Sequence, residues 1–331
     1  MIDGYVACGI RNLIEIREVK PIKGEGYGPK PQIAAIIGGL PRTSTTFLHN
    51  LLLAANTAWT SPLVWESERP AIYQNKRAAR FAIEASRRLS QARLRSYKDV
   101  VPDVFRLHPM DVDDPEECTP LLRTGLGTYE FPAIFRLPEY AEWLTETGLD
   151  HTYDLWHDQL ELIALRSPDS ALVLKSPFHS FGYRHLLSRT DAKIIHVRRS
   201  LDSILTSNFA LLAPVWDLIF EDSVRDQMES NWCDLWAQGL EAASLELASN
   251  SDRIITVDFP DLIADPIATC MDICERLGAS MPSISEARLQ GLTNSFRLNV
   301  RPRTGLSHVH NIGSRRIQRL ANAGEAFLCD R

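Results

Sequence analysis

Residues 32–49 read QIAAIIGGLPRTSTTFLH. An unbroken apolar run predicts a strand buried on both faces. The glycine pair and proline turn the chain, and the Ser/Thr cluster starts a helix whose first N–H groups have no partner inside it. A strand, a Gly-rich turn and a helix start in that order suggest a loop that holds phosphate. Aligned on G-x-x-x-x-G-K-[ST], Gly39 supplies the first glycine, Ser44 replaces the second, and Thr45 stands where a lysine would reach the β and γ phosphates of a nucleoside triphosphate. The phosphate held here is therefore of another kind.

Working outward, similar apolar runs recur at 171–176 (ALVLKS), 192–198 (AKIIHVR) and 253–259 (RIITVDF). Helical patterns lie at about 45–55, 70–98, 152–166, 201–212, 224–248 and 266–277, with a short helix between the second and third strands. Residues 1–31 read as a helical or extended arm ending in the Gly/Pro-rich KGEGYGPKP. Alternation of strands and helices predicts an α/β fold: a parallel sheet in three layers, P-loop-like, with helices on both faces. Residues 60–165 read as a mainly helical insertion.

The chain has 331 residues, 44% hydrophobic and 24% charged, enough for one large α/β domain with an insertion or for two domains. A net charge of −6 offers no overall field for nucleic acid or an acidic membrane, so any anion site is local. The first twenty residues scatter charge among apolar positions, unlike a signal peptide, and no apolar run approaches the ~20 residues of a membrane span. A cytoplasmic enzyme is the expectation. The six cysteines form no C-x-x-C pair and read as reduced structural thiols. No metal site is expected; His308 and His310 form an H-x-H pair without a third ligand at useful spacing.

Three stretches together resemble the sulfotransferases that use 3′-phosphoadenosine 5′-phosphosulfate (PAPS). GLPRTSTTFLHNLL is similar to their P-[RK]-[ST]-G-T-T-x-L loop, LVLKSPFHS follows on the next strand, and IIHVRRSLDSILTS is similar to their strand-end Arg followed eight residues later by Ser or Thr. LVWESERP, DDPEEC and FPDLIADP look like the bacterial branch. The resemblance spans roughly residues 36–278. It implies a single domain over 1–331, with 60–165 forming the cap that receives the acceptor.

The resemblance also implies roles. Arg42, Thr43, Ser44, Thr45 and Thr46 would hold the 5′-phosphosulfate, and Arg198 with Thr206 the 3′-phosphate, for which a forked guanidinium is suited. Lys175 matches a lysine that touches the sulfuryl or bridging oxygen. Glu66 matches a glutamate that serves as base, and His179 is the second candidate for that role. Arg301 and Arg303 faintly match a late Arg-rich loop. The family has Gly where this chain has Ser44, so a positive φ there would cost on the order of 1 kcal/mol. No metal is required, and the acceptor is the hydroxyl of a small molecule, lipid, glycan or carrier-bound group. Trp59, Trp65, Tyr129, Phe131, Phe135 and Trp216 suggest an apolar or aromatic acceptor where they are not core.

The Arg-rich stretch from Arg69 to Lys98, including Lys76, Arg77, Arg80, Arg87, Arg88, Arg93 and Arg95, fits a solvated helix face. The alternative is docking of an anionic acceptor or an acidic carrier protein. Two other functions fit the loop: a P-loop kinase-like phosphotransferase, against which the missing lysine counts, and a non-catalytic nucleotide-binding module, which needs no base.

Overall fold

In the computed structural model, residues 2–19, 30–74, 79–220, 224–279, 286–299 and 314–328 are described. Lys76, Arg77, Arg301, Arg303, His308 and His310, singled out above, lie outside them, as does one of the six cysteines, Cys329. Helix α1 (Ile2–Val19) precedes β1 (Ile33–Gly39), α2 (Thr45–Ala55) and β2 (Trp59–Thr60). Between β2 and β3 (Ala171–Lys175) the described chain is helical: α3 (Val64–Glu68), α4 (Ala79–Val100), α5 (Pro102–Leu107), α6 (Thr119–Thr124), α7 (Glu130–Ile134), α8 (Pro138–Thr147) and α9 (Asp150–Ala164). Then come α10 (Tyr183–Arg189), β4 (Lys193–Arg198), α11 (Leu201–Ile219), α12 (Arg225–Ser249) and β5 (Ile254–Asp258). Helices α13 (Phe259–Ala264), α14 (Pro266–Arg276), α15 (Glu286–Asn299) and α16 (Ser314–Ala323) follow.

The strands lie in the order β2-β3-β1-β4-β5, every neighbouring pair parallel. Alternate side chains of the apolar strands enter opposite cores. Ile36, Leu172, Leu174 and Ile194 pack with Trp156, Trp216, Trp232 and Trp236 on one face. Ala35, Ile37, Val173, Ile195 and Val257 pack with Phe47, Leu51, Leu262 and Ile273 on the other. Helices therefore cover both faces, as the unbroken apolar runs require.

Several elements differ from the sequence reading: α15 and α16 lie beyond the last helix expected, and two more differences involve β2 and α11. Strand β2, only two residues long, is too short to leave a periodic signal, yet Thr60 pairs with Leu172 at the sheet edge. Helix α11, expected to end near 212, continues through Pro214 to Ile219. Proline costs it one backbone hydrogen bond, and burial of Val215 and Trp216 offsets that loss.

Parallel pairing puts all the strand carboxyl ends on one edge. Ile37 lies beside Lys175, Gly39 beside Val197, and Arg198 beside Asp258. In open α/β sheets this edge carries the site.

Candidate active site

The loop after β1 is built by backbone constraint. Gly39 has φ 129°, and a Cβ there would lie 2.6 Å from the Val197 carbonyl oxygen, so only glycine fits. The buried Thr43 donates its hydroxyl to the Leu40 carbonyl at 2.8 Å and ties the loop to itself. Arg42 and Ser44 both have φ 68°. Ser44, the residue before α2, thus stands in the left-handed region at a cost of ~1–2 kcal/mol. Its hydroxyl makes no capping bond in return. The strained turn leads directly into α2, whose first N–H groups have no partner within the helix.

Lys175, 1% exposed, ends β3 and donates to the Thr46 hydroxyl at 3.0 Å and to Glu117 Oε1 at 2.5 Å. Glu117 comes from DDPEEC, whose physical task was not legible in the sequence. That stretch is stitched to the end of β3: the Cys118 N–H donates to the Lys175 carbonyl at 2.7 Å, and the Thr119 and Ser176 hydroxyls meet at 3.0 Å. It is also held to LVWESERP, since Glu116 N–H donates to the Pro62 carbonyl at 2.8 Å and Val64 N–H to the Asp114 carbonyl at 3.1 Å. Burial would raise the Glu117 carboxyl, but the Lys175 charge and, after it, His108 and the hydrogen bonds from Lys175 and Thr119 hold it below the usual value.

Strand β4 and α11 close the other side of the loop. Arg42 Nε donates to Ser207 Oγ at 3.0 Å, one residue past Thr206, and Arg199 Nη1 donates to the Arg42 carbonyl at 2.6 Å. Arg199 also stacks over Phe259, 4.2 Å from the ring centre. Arg198 is bidentate to Asp258, at 2.7 and 3.0 Å. Asp258 faces Arg198 from the neighbouring strand β5. Thus the loop, Lys175 and the start of α11 are brought together around one point of the edge.

Glu66 and His179, the two candidates for base, occupy enclosed positions. Glu66, 0% exposed, accepts the Leu63 N–H at 2.9 Å and Arg166 Nη1 at 2.5 Å on Oε2, and the Tyr73 hydroxyl on Oε1. Both oxygens are committed to the frame joining α3 to the end of α9. His179, also 0% exposed, has Nδ1 3.0 Å from the Tyr153 hydroxyl and Trp156 edge-on to its ring. Burial pushes its pKa down to about 3.

A cavity of about 490 Å³ adjoins Glu117. Helix α1 contributes Tyr5 and Cys8, α4 Leu94 and Tyr97, α11 Leu211 and Val215, and His108, Glu116, Arg123 and Glu130 belong to its polar wall. Arg123 is bidentate to Glu130 at 2.5 Å and lies over Tyr5, 4.1 Å from the ring centre. The aromatic groups singled out from the sequence are elsewhere: Trp65, Phe131, Phe135 and Trp216 are buried, and the cavity's aromatic walls are Tyr5, Tyr97 and Phe178. Neither Glu66 nor His179 lines it. On α4, Arg87, Arg88 and Arg93 pair with Asp113, Glu84 and Glu68. No helix is long and apolar enough to cross a membrane among the described residues.

Fold and site define a parallel α/β protein with a tight loop leading into a helix N-terminus and a buried lysine at the carboxyl edge of its sheet. The chain belongs to the sulfotransferase family, whose profile matches residues 34–283. No curated protein sequence matches it significantly. Among solved structures it is similar to sulfotransferase STF1 from Mycobacterium tuberculosis H37Rv, with 23% identity, a TM-score of 0.68, and 96% of this chain and 80% of that one covered. Sulfotransferase STF9 from Mycobacterium avium is comparable, with 19% identity, a TM-score of 0.68, and 97% and 80% covered. These two likenesses concern the fold.

Proposed function

We propose that the protein transfers the sulfuryl group of PAPS to the hydroxyl of an uncharged acceptor whose apolar body fills the cavity. The observation that carries this reading is a buried lysine that joins loop and cavity: Lys175 bonds Thr46 of the loop and Glu117 of the cavity wall. An ammonium has three protons, and these contacts use two, so one is left for a donor oxygen.

PAPS supplies a sulfuryl group on a phosphate leaving group. The loop N–H groups of residues 43–46 hold the 5′-phosphate at a helix N-terminus, and Arg42 and Lys175 balance the charge that grows on it. Arg198 and Thr206 take the 3′-phosphate. Metal is not required, because fixed cations perform the neutralisation. The helical segment 60–165, with α1, encloses the acceptor; the chain works as one domain. Arg93 and Arg123 in the wall are paired with Glu68 and Glu130, so the charges of these two pairs offset each other beside the acceptor. Where the acceptor arrives on an acidic carrier, the exposed Arg80, Arg95 and Lys98 of α4 are the docking face.

Calorimetric titration with adenosine 3′,5′-bisphosphate beside magnesium ATP tests the donor. Micromolar binding of the bisphosphate, about −8 kcal/mol, without ATP binding is the expected result. Preference for ATP would support the phosphotransferase instead.

A further inference from the structure

The carboxylates of the cavity wall are not equivalent. Glu68 is paired with Arg93, Glu117 with Lys175 and Glu130 with Arg123. Glu116 has no ion pair among the described residues; its Oε1 accepts the Glu117 N–H at 2.6 Å. Its backbone is fixed by the bond to the Pro62 carbonyl and by the antiparallel bridge of Pro115 to Leu63. It therefore stands one residue from the group that touches Lys175, on the cavity side, with Oε2 uncommitted.

Resting on the PAPS reading above, we propose that Glu116 is the catalytic base, taking the proton from the acceptor hydroxyl as its oxygen attacks sulfur. The acceptor O–S bond forms and the bridging S–O bond breaks. The electron pair of that bond stays on the departing 5′-phosphate, and the proton passes to Glu116 Oε2. No oxidant or metal enters the balance.

The surroundings suit the task. Burial, and then the neighbouring Glu117 charge, raise the Glu116 carboxyl to about 7, against the opposing effects of Lys175, the Glu117 N–H and Arg123. A base is most effective when its pKa lies near the working pH. His108 also lines the cavity, but burial and Lys175, with Arg42 adding to them and Glu117 opposing, hold it at about 4. It is neutral and weakly basic. Glu66 and His179 are removed from the role by their enclosure.

The test is Glu116→Gln, which keeps the Oε1 acceptor, assayed with PAPS and two probe acceptors, 1-octanol and 4-nitrophenol. The acidic phenol ionises without help; the alcohol does not. The expected loss in kcat/KM is about 10²–10⁴ for octanol and much smaller for 4-nitrophenol. With octanol as acceptor, wild-type kcat/KM is expected to fall as pH drops through about 7, and in Glu116→Gln that limb should disappear. Equal losses for both acceptors, or an unchanged pH profile, overturn the proposal, as does transfer of both effects to His108→Asn. Calorimetry with adenosine 3′,5′-bisphosphate separates the two levels. Unaltered binding in Glu116→Gln leaves the donor site intact, whereas no binding even in wild type overturns the PAPS reading itself.

Discussion

Replacing Glu66 by alanine tests whether this residue serves the frame or the chemistry. The substitution strips Arg166 of its carboxylate; the guanidinium side chain, 21% exposed, keeps only the neutral acceptors Thr60 Oγ1 at 2.6 Å and the Ser61 carbonyl at 2.9 Å. Breaking a buried ion pair by removing one partner costs about 3–5 kcal/mol. The Leu63 N–H and Tyr73 hydroxyl lose their acceptor as well, and their cost is contained in the upper part of that range wherever water replaces it. Because Arg166 is anchored to Thr60, the loss also loosens β2 at the sheet edge. Urea unfolding at pH 7 of Glu66→Ala, Arg166→Ala and the double variant measures this. The expected outcome is a lower midpoint at constant m, and a coupling energy of roughly 0.5–3 kcal/mol between the two sites. Glu66→Gln, which can still accept the Leu63 N–H, should lie between wild type and alanine. Wild-type stability in Glu66→Gln together with abolished sulfuryl transfer would refute the reasoning and return Glu66 to the reaction.

Three further outcomes follow from the geometry. Ser44→Gly removes the left-handed strain of ~1–2 kcal/mol and adds ~0.5–1 kcal/mol of unfolded-state freedom. A net gain of about 0.5–1 kcal/mol and a slightly higher Tm in a thermal melt are expected, and Ser44→Val should move both the other way. Arg198→Ala should weaken adenosine 3′,5′-bisphosphate at least tenfold, about 1.4 kcal/mol, in calorimetry; unchanged affinity would exclude Arg198 from the 3′-phosphate site. His49, His179 and His196 are buried and depressed to about 3 by desolvation. The unfolded chain binds protons at these residues near pH ~6.5 while the native one does not, so stability falls as pH drops from there toward 3. At pH 5 each costs roughly 2 kcal/mol, and the urea midpoint should be markedly lower than at pH 7.

Much of the fold was legible because its strands are built on apolar runs. β1 and β3 are nearly continuous, β4 is broken by His196 and the edge strand β5 by the exposed Thr256, and the ends of all four fall within a residue or two of the expected ones. The loop was legible too, since Gly39, the proline and the Ser/Thr cluster carry the local physics of a turn and a helix start. At Ser44 the resemblance to a glycine-bearing loop raised the question of a positive φ, and only the structure answers it, at 68°. DDPEEC was noticed without a purpose because its meaning lies in a partner 58 residues away, Lys175.

The amino-acid sequence by itself determined the local chemistry: which runs are apolar enough for interior strands, where a backbone must turn tightly, and where cations and hydroxyls stand at helix starts. Only the tertiary structure decided which of those groups meet. It set the strand order, paired Arg198 with Asp258, enclosed Glu66 against Arg166 and carried Glu117 to Lys175. Such pairings arise from how whole faces pack, and a linear pattern carries only the faces.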